Sequence, residues 1–248
     1  MTAARAVRHA PLELRGKRVL LRSLREDDFA AWHEVRTRCA GWLLRWEPRP
    51  KGAPTPTEDR PSFAARCGIR ERERHLGTGY GFGIFVGERF AGEVTLSSIQ
   101  RGPFQSGVIG YWIDEELAGR GLVPEAVVVT LRFAFEAISL HRVEIAIIPR
   151  NTASRRVVEK LGIREEGTAL RLLEIDGQWE DHVRYGITAE EWAVRERELV
   201  EDWLESCALR CRHRSRRRVS GGRTAPRRAH TCRTAVVCRF GGGVARPG

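Results

Sequence analysis

Residues 110–140 constrain the fold of this chain more than any other stretch. A β-branched and aromatic run over 106–113 ends at Asp114-Glu115-Glu116, and Gly119-Arg120-Gly121 follows. In residues 124–140, Ala126, Val127, Val128, Val129, Leu131, Phe133, Ala134, Phe135 and Ile138 leave almost no polar face. A helix apolar nearly all round must be covered on every side, so this pattern predicts a buried helix packed on a sheet. Pro124 suits its first turn, where no intrahelical donor is needed. The glycines allow a sharp turn and close backbone approach, and the free N–H groups at such a helix start form an anion site. A dinucleotide fingerprint would need a third glycine where Pro124 stands, and a P-loop would need Gly-Lys-Ser/Thr, so neither nucleotide motif fits. By its residues alone, the turn serves equally to start a helix and nothing more.

The flanking sequence alternates between the two periodicities. Residues 19–24 read as a strand. Arg25-Glu26-Asp27-Asp28 opens a helical pattern through Ala31, Val35 and Cys39, with acids at its positive end. Prolines at 48, 50, 54, 56 and 61 make 47–61 a loop, and a loop of that length inside a domain is usually functional. A helix over 62–75 follows, then strands over 81–86 and 90–99 joined near Gly87-Glu88. After the central helix come a strand over 143–149 and a helix over 151–161, with Asn151 as N-cap and Gly162 past its end. Strands over 169–175 and 179–187 flank Asp176-Gly177, a tight-hairpin dipeptide. The order predicts an α/β fold, a mixed central sheet flanked by helices.

Charge divides the chain. The 248 residues carry a formal +11, yet residues 207–248 hold twelve arginines and no acid, which leaves the remainder near −1. Four of the six cysteines lie there too, leaving Cys39 and Cys67 in the body, which fits a reduced compartment. No apolar run approaches the roughly 20 residues that span a bilayer, and the opening segment lacks the apolar core of a secretory signal, so the cytoplasm is the default. One domain is expected over 12–205, between an N-terminal extension, 1–11, and an Arg- and Cys-rich disordered tail, 206–248. Three readings of the tail stay open. It is an arm for ribosomal RNA with salt-dependent affinity, or a zinc site built from Cys207, Cys211, His213, His230, Cys232 and Cys238, although it holds no CxxC. The third is an out-of-frame extension of a GC-rich gene, which its Arg, Gly, Ala, Pro and Cys content and a body with three lysines slightly favour.

Several segments carry a resemblance: Gly110-Tyr111-Trp112-Ile113-Asp114, Gly119 through Ala126, His141-Arg142, Asn151 through Ser154 with Glu159 through Gly162, and Ile175 through Trp179 with Asp181-His182. Their order and spacing, from about Val19 to Trp192, resemble the GNAT family of acetyl-CoA-dependent N-acetyltransferases. More narrowly they resemble its RimJ/RimL type, which acetylates the N-terminal amine of ribosomal proteins. Ala118 and Val123 depart from the family's general loop pattern, Gln/Arg-x-x-Gly-x-Gly/Ala. Backbone donors make most contacts there, so Ala118 forfeits only a side-chain contact. The resemblance implies the GNAT acyl-CoA N-acyltransferase fold, acetyl-CoA as co-substrate and no metal. It places the amides of Gly119, Arg120, Gly121, Leu122 and Val123 on the CoA pyrophosphate, the strand at Trp112 and Ile113 along the pantetheine arm, and Asn151 on that arm. Ser154 would lie near the thioester sulfur and protonate the departing thiolate. From the residues alone, Asn151 is an N-cap and Ser154 a polar residue of a first helical turn.

Acetyl transfer to an amine requires the amine neutral. An α-amine of pKa about 7.7 to 8.0 loses its proton at pH 7 for about 1 kcal/mol, whereas a lysine would need about 4 to 5 kcal/mol and a well-placed carboxylate. Glu93 is the first candidate for a base or water-orienting group, set against an exposed strand carboxylate, and Glu174 is the second. The acceptor is expected between the proline-rich segment, 42–61, and the hairpin around Trp179, although these aromatics read equally as core. Asp181 and His182 read as a buried hydrogen-bonded pair. Direct attack without an acyl-enzyme is implied chiefly by the resemblance, and the absence of a Cys or Ser beside a His base in any motif agrees with it. The resemblance implies a protein N-terminus as acceptor. An aminoglycoside or polyamine acetyltransferase, which would want an acidic pocket, is the alternative, and an inactive ribosome- or RNA-associated binding protein is the third reading.

Overall fold

The computed structural model describes residues 12–49 and 59–205. The expected extension, 1–11, the middle of the proline-rich segment, 50–58, and the tail, 206–248, with its RNA, zinc and out-of-frame readings, lie outside the described residues.

Eight strands form one sheet: β1 (Glu13–Arg15), β2 (Val19–Arg22), β3 (Tyr80–Val86), β4 (Arg89–Gln100), β5 (Ser106–Ile113), β6 (Arg142–Ile147), β7 (Arg164–Ile175) and β8 (Gln178–Thr188), in the order β1-β2-β3-β4-β5-β6-β8-β7. Six neighbouring pairs are antiparallel, and β5 with β6 is parallel. That parallel pair needs a crossover, which α4 (Leu122–Arg132) supplies. All of α4 except Arg132 is buried, as its unbroken apolar pattern requires. It widens into a π turn over Phe133–Ala137, where the Ile138 amide donates to the Phe133 carbonyl at 3.2 Å.

Two cores sit on the two faces of the sheet. The larger joins α4 and α6 (Ala189–Trp203), with Val158 and Leu161 at the end of α5 (Thr152–Lys160), to Val94, Leu96, Ile109, Ile145 and Val183. The smaller joins Trp32 and Val35 of α1 (Phe29–Arg38), Leu43 of α2 (Ala40–Leu43) and Phe63 of α3 (Arg60–Leu76) to Phe85 and Phe90. Three elements exceed the sequence expectation, the four-residue α2 among them. β1 is three residues long and exposes Glu13 and Arg15, too short to show a period. α6 buries only Trp192 and Leu199 in a run of charges, and its one local signal is the capping box of Thr188 and Glu191.

Candidate active site

β5 and β6 pair only where they begin. Ser106, Gly107 and Val108 register with Arg142, Val143 and Glu144, and beyond Val108 the two strands part. β5 stays bonded to β4 as far as Ile113, and β6 to β8 as far as Ile147. The facing edges of the gap therefore carry backbone donors and acceptors that an extended amide chain could satisfy. The gap opens a cleft of about 1690 Å³, whose wall includes Trp112, Ile113, Gly119, Leu122, Asn151 and Ser154. This volume exceeds an ordinary single-ligand pocket and leaves room for two substrates.

At one end of the cleft, Gly121 caps α4 in the left-handed region (φ 78°), and Gly119 is left-handed too (φ 76°). No amide from Gly119 to Val123 has an acceptor among the described residues. Five consecutive donors at the positive end of a buried helix form an anion cradle. Arg18 holds its shape, donating to the carbonyls of Arg120 at 2.8 Å and Gly121 at 3.1 Å and pairing with Glu125 at 2.8 Å. Glu125, fully buried in the first turn of α4, also accepts from the amides of Arg18 and Val19. The carbonyls are thereby drawn to Arg18, on the side away from the unpaired amides. Sequence reasoning passed over this clasp, because Arg18 and Glu125 lie 107 residues apart. Ahead of the turn, burial alone would raise the Asp114 carboxyl. Hydrogen bonds from Arg38, Arg89 and the Glu116 amide outweigh burial and hold it at about 2.

α5 borders the gap from the α4 side. Asn151 Oδ1 accepts from the Ser154 amide at 3.1 Å, which is the N-cap. Ser154 Oγ donates to the Tyr111 hydroxyl at 3.0 Å, and that hydroxyl donates to the Ser154 carbonyl at 3.2 Å. Burial pushes the Tyr111 phenol well above its ordinary value, so it stays protonated. Tyr111 was not among the candidates from sequence. Its place on β5, next to Trp112 but facing the opposite way, comes from the strand's alternation.

The other face of the sheet carries the second half of the cleft. Glu93 pairs in register with Trp112, so both side chains leave the sheet on the side of α1 and α3. Glu93 is 5% exposed, which corrects the exposed-carboxylate expectation: packing of α1 and α3 over β4 buries it. Its Oε1 accepts from Trp32 Nε1 at 2.8 Å and from Arg66 at 2.8 Å, and Arg66 lies over the Trp32 ring at 4.7 Å. Trp42 and Trp46 line the cleft, whereas Trp179 is 62% exposed over a separate small hollow. The expected entrance between proline-rich segment and hairpin is closed at one point. Pro48 bridges to Ile175, and Arg49 exchanges hydrogen bonds with Glu174 and Gly177. Glu174 sits at that junction and is not part of the cleft wall. Asp181 and His182 are not a pair. A bulge between Ala169 and Leu173 sends Asp181 to the Arg171 amide at 2.8 Å, while His182 Nδ1 meets the Glu180 carbonyl at 2.9 Å. Among the described residues, no three His, Cys, Asp or Glu side chains converge as a metal site. No helix there is long and apolar enough to cross a membrane.

The chain is similar to known acetyltransferases. It is 44% identical over 105 residues to a probable N-acetyltransferase, YjcK, of Bacillus subtilis, covering 42% of this chain and only 58% of that protein. It is 31% identical over 154 residues to the [ribosomal protein uS5]-alanine N-acetyltransferase of Escherichia coli, covering 61% of this chain and 77% of that protein. Among solved structures, Mycobacterium smegmatis RimJ in complex with CoA-disulfide superposes with a TM-score of 0.66 at 32% identity, over 76% of this chain and 94% of that one. The family model for the acetyltransferase (GNAT) domain matches residues 18–164, and with that span the chain belongs to the GNAT acetyltransferase family.

Proposed function

We propose that this protein transfers the acetyl group of acetyl-CoA to the N-terminal α-amine of a ribosomal protein, by direct attack in a ternary complex. The observation that carries the reading is the unpaired amide run from Gly119 to Val123 at the mouth of the β5–β6 gap. These amides would hold the pyrophosphate, and the strand edge at Trp112 and Ile113 would hold the pantetheine arm with Asn151 beside it. The thioester would then lie between the two faces, with Ser154 on one side and Glu93 on the other. Ser154 would turn its hydroxyl from Tyr111 to the sulfur and donate as the thiolate departs, while Tyr111 keeps the serine in place. Glu93, paired with Arg66, would attract and orient the acceptor ammonium.

A protein acceptor is favoured by the relatives whose names specify ribosomal-protein alanine, and by the cleft itself. Arginines outnumber carboxylates along its wall, which opposes an aminoglycoside or a polyamine. The test is thiol release from acetyl-CoA with peptides beginning Ala or Ser, set against aminoglycosides and polyamines, with thermal stabilisation by acetyl-CoA recorded alongside. Stabilisation without turnover on any amine would favour the inactive binding protein. Ribosome contact through residues 207–248 is tested separately, by co-sedimentation of the full chain and a chain ending at 206.

A further inference from the structure

We propose that His182 is the group that takes the proton from the acceptor amine. The proposal rests on the cleft reading above and adds the base which that reading lacks. His182 lies on β8, is 3% exposed and lines the cleft. Its Nδ1 is 2.9 Å from the Glu180 carbonyl oxygen. A carbonyl only accepts, so Nδ1 carries a hydrogen, and the neutral ring keeps its lone pair on Nε2. Nε2 has no partner among the described residues and stays accessible in the cleft wall. The backbone thus fixes the tautomer from behind and leaves the basic nitrogen for a ligand.

No carboxylate on this wall offers the same. Glu47 is engaged by Arg36, Glu93 by Arg66 and Trp32, and Glu144 by Arg142 and Arg184. The other charged groups nearby are cations or turn away. Arg150 pairs with Glu180, Arg45 lies over Trp46, Arg156 and Lys160 project from α5, and Asp181 is held by the Arg171 amide. For ordinary groups, moving a proton from an α-ammonium to an imidazole is roughly 20-fold uphill, and to a glutamate roughly 3,000-fold. An imidazole facing the amine is therefore the better acceptor.

The step balances. One N–H bond of the ammonium breaks, its electron pair stays on nitrogen, and the proton goes to Nε2. The neutral nitrogen attacks the thioester carbon and the C–S bond breaks. The second proton, shed as the amide forms, ends on the departing sulfur, and the imidazolium returns its proton to solvent.

His182→Asn keeps an amide donor for the Glu180 carbonyl and removes the lone pair. Its kcat on an Ala-starting peptide is expected to fall about 100-fold. Added imidazole should restore part of the rate, while Kd for acetyl-CoA and Tm stay at wild-type values. Glu93→Gln should instead raise KM for the peptide, and added imidazole should not rescue it. A His182→Asn kcat within threefold of wild type, or a lowered kcat that added imidazole does not raise, overturns the proposal. Wild-type turnover in the same assay judges the acceptor reading separately. If the wild type acetylates a different amine, the same comparison on that amine decides the role of His182.

Discussion

Arg18 is the residue whose replacement tests most directly how the Gly119–Val123 turn is shaped. Arg18→Met keeps the apolar stem but removes both bonds to the loop carbonyls, at 2.8 and 3.1 Å, and the ion pair to Glu125 at 2.8 Å. Breaking a buried ion pair typically costs about 3 to 5 kcal/mol. Here the Arg18 side chain is 42% exposed, and Glu125 keeps the amide donors of residues 18 and 19, so a stability loss of about 1 to 2 kcal/mol is expected. The released carbonyls let the turn sample shapes in which its amides no longer converge. Two charge-assisted bonds contribute enough to predict about tenfold weaker CoA binding, or about 1.4 kcal/mol. Titration calorimetry with CoA and urea unfolding measure the two effects separately, and the peptide KM should not move. Glu125→Gln, which can still accept from the two amides, should fall between wild type and Arg18→Met. If Arg18→Met lost stability yet bound CoA within twofold of wild type, the clasp would only tie β2 to α4. The glycines alone would then shape the turn.

Three further outcomes are expected. Gly121→Ala places a Cβ at φ 78°, 3.3 Å from Arg18 Nη2 and 3.4 Å from Trp203 Cζ3, and should cost about 1 to 2 kcal/mol in urea unfolding and weaken CoA binding. Asp114, held at about 2 against an ordinary 3.8, contributes about 2 kcal/mol that is fully present above pH 4 and lost as pH falls through about 2. Asp114→Asn should flatten that part of the stability–pH curve, and an unchanged acid slope by circular dichroism would contradict the assignment. Tyr111→Phe removes the partner of the Ser154 hydroxyl, and should lower kcat about three- to tenfold with KM for acetyl-CoA unchanged. A pure KM effect would place Tyr111 on the CoA arm instead.

The legible part of the site is the part written in contiguous residues. Gly119-Arg120-Gly121 before an apolar helix announces a turn whose amides are free, and the structure leaves those amides unpaired among the described residues. The strand at Trp112 and Ile113 and the Asn151 cap are local features as well, and they share one cleft wall with that turn. Glu93 was legible as a strand carboxylate but not as a buried one, because burial depends on α1 and α3, whose sequence says nothing of which strand they cover. Asp181-His182 misled for a related reason. Adjacent residues on a strand point to opposite faces, and a bulge on the partner strand decides what each one meets.

Period and punctuation in the sequence determined most of the elements, their order and the α/β class, though not β1, α2 or α6. Hydrophobic spacing and capping act within a few residues and leave their mark in the chain itself. Tertiary structure alone decided that β5 and β6 part after three residues, that Arg18 reaches across 107 positions to Glu125, and that Glu93 and His182 line one cleft from opposite sides of the gap. Those relations depend on how the sheet is ordered and where its strands diverge, and no local preference encodes a distance between residues remote along the chain.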